Sequence, residues 1–213
     1  MKHSSAAFCF IGFLILFPLL QAHALNKERK GFVMDFAIGA GYSSIYSQSP
    51  SFSEYSIYGL YLNYGLGFAP SNHSKILFGV KANIFTTEVT ELYRKWNDKM
   101  KGDNINALMA KLAAPFVYGL APLLRSHSAL WSVEYTYFLK EKSPSLFLSA
   151  LAGIGILFDT KEDKVLPGLT MSAGAGYEFH PRVAFCCDVM FTTENQTDMR
   201  CLSFLSGIRF LLY

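Results

Sequence analysis

His127 and Ser128 stand side by side with Glu134 a little further on, the residue types of a base, a nucleophile and an orienting acid. Nucleophilic catalysis needs the base within hydrogen-bond reach of the nucleophile. Adjacent residues in an extended segment point to opposite faces, so this pair is badly placed for it. His73 and Ser74 share the defect and fall in APSNHS, which reads as a turn by its Pro, Asn and Ser content. The remaining reactive groups are Cys186, Cys187 and Cys201. Cys186 and Cys187 face opposite ways and no histidine lies near them in the pattern, so no metal site is expected, and no cofactor either.

A larger set is made of charges embedded in otherwise apolar stretches: Asp35, Lys75, Lys81, Glu134, Glu178, Arg182, Asp188 and Arg209. Each is assigned to the inward, polar side, Arg182 from the HPR turn and the others from the small, polar faces of alternating segments. Burying any one alone would be prohibitive, so they are expected to pair with each other or with water in a polar interior, as a structural ion-pair network.

The segments that must hold these charges alternate with period two. In LTMSAGAGYEF, Leu169, Met171, Ala173, Ala175, Tyr177 and Phe179 share one face, and Thr170, Ser172, Gly174, Gly176 and Glu178 the other. A soluble sandwich turns its apolar face inward and a varied polar face to water. Here the large apolar set carries aromatics and the opposite set is small, glycine-rich and charged, as in a membrane barrel with lipid outside and a polar lumen.

Composition agrees. The chain is 51% hydrophobic and 15% aromatic, yet no apolar run beyond the N-terminal segment approaches the length of a spanning helix, so the apolar residues are dispersed as in strands. Residues 1–24 read as a cleaved signal peptide. Lys2 supplies the charged start, AAFCFIGFLILFPLL the apolar core, and Ala22-His23-Ala24 the small-x-small site. Without Lys2 the rest, 25–213, carries 18 basic against 16 acidic residues, which excludes a nucleic-acid partner. It reads as one domain.

Eight strands are expected: GFVMDFAIGAGYSS, SIYGLYLNYGLGF, KILFGVKANIFT, LWSVEYTYFL, SLFLSALAGIGILF, and three in the last third, LTMSAGAGYEF, VAFCCDVMF and LSFLSGIRFLLY. APSNHS, KEKSPS and HPR are the short turns on the periplasmic side, and longer connections face outward. The region 86–129 breaks the rhythm. ELYRKWNDKMKGDN is charged and aromatic, and INALMAKLAAPF has helical spacing, so it reads as one long, partly helical extracellular loop. Counting further strands there gives the alternative of a ten-stranded barrel. Tyr93, Arg94, Lys95, Trp96 and Lys99 in this loop form a candidate binding surface, since loops carry function on a rigid scaffold. Export to an oxidising compartment allows a disulfide between Cys186 and Cys201 across the last hairpin, with Cys187 facing lipid; free thiols are the alternative.

GFVMDFAIGAGY, TYFL-KEKSPS-LFLSALAGIGI, GAGYEF-HPR-VAFCCDVMF and the terminal GIRFLLY together resemble the small eight-stranded outer-membrane barrels of the outer-membrane protein A and X type. The resemblance implies an all-β, antiparallel up-and-down transmembrane barrel in the bacterial outer membrane, a monomer contacting outer-membrane lipid and lipopolysaccharide. It also implies recognition of the final strand by the barrel-assembly machinery, although Tyr213 stands where the family usually ends in Phe. Members range from structural and adhesive surface proteins to lipid-modifying enzymes. The spaced His-x-Ser order of the barrel lipid A deacylases is absent here, so a non-catalytic structural or binding role is expected and a lipid A deacylase is the alternative.

Overall fold

The computed structural model describes residues 29–47, 55–101, 107, 111, 121–124, 126–159, 164–194 and 199–213. The expected signal peptide and most of the second half of the long loop lie outside them. The described residues form eight antiparallel strands: β1 (Gly31–Ser47), β2 (Tyr55–Ser71), β3 (Ser74–Phe85), β4 (Ser126–Phe138), β5 (Ser145–Asp159), β6 (Lys164–His180), β7 (Val183–Thr193) and β8 (Met199–Leu212). Each strand pairs with its sequence neighbour and β8 closes on β1, giving an eight-stranded closed barrel rather than the ten-stranded alternative.

Closure is staggered. Asp35 lies opposite Gly65, which leads across the sheet to Gly79, Ser132, Gly153, Thr170, Thr192 and Cys201, and so back to β1 at Ile45. The return falls ten residues above the start (45 less 35). Such a shear tilts the strands, and eight of them enclose only enough room for side chains.

The two faces follow the alternation. Outward residues include Trp131 at 79% exposure, Tyr58 at 73% and Phe78 at 64%, whereas inward Asp35, Lys75, Lys81 and Arg209 are at 0%. A barrel with greasy walls and a charged interior is inside out relative to a soluble protein. Three short connections, at Asn72–His73, 139–144 and Pro181–Arg182, gather at one end, here the turn end. The opposite, loop end carries α1 (Thr86–Lys99) and α2 (Ala121–Leu124).

Several boundaries differ from the sequence reading. β4 starts at Ser126 rather than Leu130, because the register slips between Ala129 and Trp131. That bulge breaks the period-two pattern and hid the first four residues. β6 starts at Lys164 and takes in Pro167, which the pattern places in a loop. A helix, α1, also continues directly from β3 without a linker. Of the helically spaced INALMAKLAAPF only Ala107 and Lys111 are among the described residues, and both are helical. Tyr93, Trp96 and Met100 recur at helical spacing and are half-buried, while Glu91, Arg94, Lys95 and Lys99 are exposed.

One part of the wall is not open. Ala82, Ile84, Ile156 and Phe158 face outward by register but are buried. α2 lies against β3, β4 and β5 there, and the Leu123 carbonyl accepts hydrogen bonds from the Ser126 and Ser128 hydroxyls. The chain therefore covers its own wall at the loop end, which alternation within a strand could not reveal.

Candidate functional site: a sealed polar lumen

Period two points charged side chains inward from β1, β3, β4, β6, β7 and β8, and the register decides which of them meet. Near the turn end Lys75 on β3 pairs with Asp35 on β1. Arg209 on β8 reaches the same Asp35 at 3.3 Å and Glu134 on β4 at 2.8 Å. Glu134 also takes Lys81 at 3.1 Å, and Lys81 continues to Asp188 on β7 at 2.9 Å. Asp188 accepts further hydrogen bonds from the Tyr61 hydroxyl at 2.9 Å and the Ser149 hydroxyl at 3.3 Å. Three cations thus alternate with three carboxylates across the lumen, and each buried charge has an opposite charge in contact.

Glycines make the room. A methyl group on Gly174 would lie 2.0 Å from Asp188 Oδ1, and one on Gly41 would lie 2.2 Å from Asn83 Oδ1. These inward glycines face the bulkier polar side chains across the narrow interior, so the small face read from the sequence is the counter-shape of the polar network.

Above the charges, toward the loop end, lies a neutral polar layer. Thr170 Oγ1 and Thr192 Oγ1 are 2.7 Å apart, and His127 Nε2 lies 2.5 Å from Thr192 Oγ1. His127 Nδ1 is 2.5 Å from Ser203 Oγ and 3.2 Å from Cys201 Sγ. Ser203 contacts the Ser43 hydroxyl, which in turn accepts from Asn83 Nδ2 at 2.7 Å. Hydroxyls both donate and accept, which lets one imidazole satisfy two partners without a charge. Ile45, Phe85, Leu157, Leu166 and Met199 close the lumen above this layer.

At the turn end the closure is different in kind. Arg29, just before β1, has its guanidinium 2.7 Å from Glu178 Oε2, and Nη1 donates to the backbone carbonyls of Asn72 at 3.1 Å and Lys140 at 2.5 Å. The same group lies 4.3 Å over the Phe138 ring.

The sequence-predicted residues therefore divide. Asp35, Lys75, Lys81, Glu134, Asp188 and Arg209 come together in one cluster, and Glu178 pairs separately with Arg29. Arg182 lies outside the strands. It occupies the turn between β6 and β7, half-buried, where its carbonyl accepts from the Leu211 amide. The turn is two residues long, so the alternation of β7 does not extend to it.

The Cys186–Cys201 disulfide is also corrected. All three described cysteines are free. β7 and β8 pair Cys186 with Gly207 and Cys201 with Thr192, so the two thiols, both inward, are separated by six positions along the hairpin (192 less 186), roughly 20 Å at strand rise. Setting the two cysteines opposite one another would need the hairpin to centre between Thr193 and Glu194, whereas the register centres three residues later. Cys187 faces outward and is exposed.

His127 and Ser128 do point to opposite sides, one into the lumen and the other onto the wall beneath α2. His127 meets a different serine, Ser203, but both are fully buried and the second ring nitrogen contacts Thr192 rather than a carboxylate. This geometry has no access for a substrate and no acid to orient the base. No group of three His, Cys, Asp or Glu placed to hold a metal ion occurs among the described residues. Arg29, Ser43, Asn83, Thr192 and Ser203 were not singled out by the sequence reading, and His127 was considered there only as a base beside Ser128. The one available signal for the strand residues was inward placement by parity, which fails for His127 because of the bulge and does not apply to Arg29.

The loop candidates lie apart from the lumen, on α1. Arg94, Lys95 and Lys99 are exposed, Tyr93 and Trp96 half-buried, and Lys99 Nζ lies 5.7 Å from the Trp96 ring centre. Arg94 approaches Glu91 at 3.5 Å, and Lys101 bonds Asp98 at 2.6 Å. The Lys101 ammonium, by that bond and its charge, holds the Asp98 carboxyl below its ordinary value.

No family model and no curated protein matches the chain. Among solved structures it is similar to Ail, the attachment invasion locus protein of Yersinia pestis, with 11% identity over 86% of this chain and 99% of that one, at a TM-score of 0.46. Neisserial surface protein A is similar over 84% of this chain and 96% of that one, with 13% identity and a TM-score of 0.43. The outer membrane protein OprG from Pseudomonas aeruginosa is similar over 88% and 99%, with 7% identity and a TM-score of 0.40. The architecture of the present chain rests on its own closed strand order.

Proposed function

We propose that this chain is a non-catalytic barrel of the bacterial outer membrane, exported by its first 24 residues, that presents loop-end elements at the cell surface in a structural or adhesive role. The observation that carries the reading is the sidedness of the wall. Phe78 and Trp131 stand exposed among aliphatic neighbours on an outer face that only lipid would cover, around an interior whose charges are paired and sealed. A lumen filled to this degree supports a plugged barrel rather than a porin. A soluble ligand-carrying barrel would need the opposite distribution.

The test is electrophoretic mobility of the outer-membrane fraction before and after boiling. A heat-dependent shift in that fraction is expected. Recovery as a soluble periplasmic protein without a shift would overturn the reading.

Within it, α1 is the partner-facing surface, with Tyr93, Arg94, Lys95, Trp96 and Lys99 as its contact residues and lipopolysaccharide or a surface partner as its target. Basic and aromatic side chains on an amphipathic helix suit an anionic interface. Deleting residues 91–109 should leave the barrel assembled and abolish surface binding; unchanged binding would remove α1 from the proposal. The lipid A deacylase alternative predicts a lipid A mass shift on expression that disappears in Ser128→Ala. With Ser128 under α2, no shift is expected in either protein.

A further inference from the structure

The turn end holds a receptor for a guanidinium group, and the chain fills it itself. Glu178 sits at the end of β6 and faces Arg29 side-on, with Nε to Oε1 at 3.4 Å and Nη2 to Oε2 at 2.7 Å. The remaining arm, Nη1, takes one carbonyl from the β2–β3 turn, Asn72, and one from the β4–β5 turn, Lys140. Glu178 itself leads into the β6–β7 turn. One side chain therefore touches elements of all three turns that ring this mouth.

The floor of the receptor is aromatic. Arg29 lies over Phe138, the Phe138 and Phe147 rings are 5.6 Å apart, and Arg209 lies 5.5 Å from the far ring, Phe147. Two guanidiniums thus bracket an aromatic pair, the outer one facing the mouth and the inner one belonging to the lumen cluster. A planar fork that binds a carboxylate side-on, reaches two carbonyls and stacks on a ring is what arginine offers and lysine does not. Arg29 is only 3% exposed although it precedes the first strand and has no barrel hydrogen-bond ladder to fix it.

We infer that Arg29 is a latch, a guanidinium ligand supplied in cis, that closes the turn-end mouth and keeps water from the charged layer behind Phe138 and Phe147. It acts independently of any loop-end function, and it holds for the barrel folded in detergent as well as in a membrane.

Ala184 is a suitable reporter: it is fully buried, faces inward, and lies opposite Glu178 on one side and Arg209 on the other. The full chain would carry Ala184→Cys, with Cys9, Cys186, Cys187 and Cys201 replaced by alanine, and be labelled with a small water-soluble thiol reagent. With Arg29 present, labelling should be slow. In Arg29→Ala it should rise about tenfold or more, the factor expected from losing one hydrogen bond to a charged group, with the heat-dependent mobility shift retained. Millimolar methylguanidinium should slow it again, and methylammonium should not. Labelling that stays as slow as with Arg29 present, or that methylguanidinium leaves unaltered, would overturn the latch. Should Arg29→Ala fail to assemble, Arg29→Lys is read in the same way, because it keeps a charge opposite Glu178 but cannot reach both turn carbonyls.

Discussion

The two halves of the lumen solve one problem with different chemistry. Near the turn end, Lys75, Arg209 and Lys81 alternate with Asp35, Glu134 and Asp188, full charges that are tolerable only as a complete set. Toward the loop end, Thr170, Thr192, His127, Ser203, Ser43 and Asn83 pass hydrogen bonds along a neutral chain. A charge that loses its partner keeps its desolvation penalty, whereas a hydroxyl that loses one neighbour can turn toward another. The charged half should therefore be brittle and the neutral half forgiving.

The largest expected effect follows from Asp35→Ala. It leaves Lys75 without its carboxylate and Arg209 with one fewer, at a cost of about 3–5 kcal/mol. The urea midpoint of the detergent-folded barrel would report it, and a loss no greater than that of a neutral-layer variant would end the contrast. Replacing the pair together, Asp35→Leu with Lys75→Met, should recover most of that loss, because a volume-matched apolar pair carries no unpaired charge. Equal or additive damage in the double variant would mean that packing, not charge, is at stake.

His127→Ala should be milder. It removes contacts to Ser203 and Thr192, whose hydroxyls retain Ser43 and Thr170 as neighbours, and should cost about 1–3 kcal/mol by the same urea assay. A cost matching Asp35→Ala would show that the neutral layer is equally intolerant.

The smallest effect belongs outside the lumen, where the Asp98–Lys101 pair on the loop-end surface is exposed to water. Its depressed carboxyl favours the folded state above the unfolded-state value and loses that contribution as pH falls through the folded one. Lys101→Ala should move the Asp98 titration, followed by NMR, up toward an ordinary carboxylate, with the barrel's urea midpoint unchanged. A shifted midpoint would contradict the placement of this exposed pair outside the network that stabilises the barrel.

The charged half was legible in the sequence and the neutral half was not. Lys75 and Lys81 on one face of KILFGVKANIFT have no place in an apolar core, so period two alone points them into a polar lumen. Ser43, Thr192 and Ser203 carry no such contradiction, because a small hydroxyl fits either face. His127 was hidden for a different reason: the bulge at Leu130 reverses parity, so counting back from Glu134 puts the imidazole on the wrong face. Arg29 lies in NKERK, outside every strand, where no periodicity applies.

The amino-acid sequence by itself determined which segments alternate and, away from the bulge at Leu130, the side on which their residues fall, since these are properties of alternation within a segment. The choice of eight strands over ten came with the closed strand order. Only the tertiary structure decided which inward residues meet. Cys186 and Cys201 are both inward yet far apart, while Arg209 and Asp35, from opposite ends of the chain, share a salt bridge. Pairing depends on register and on the ten-residue stagger of closure, and those are fixed by how all eight strands pack into a space with room for one set of side chains.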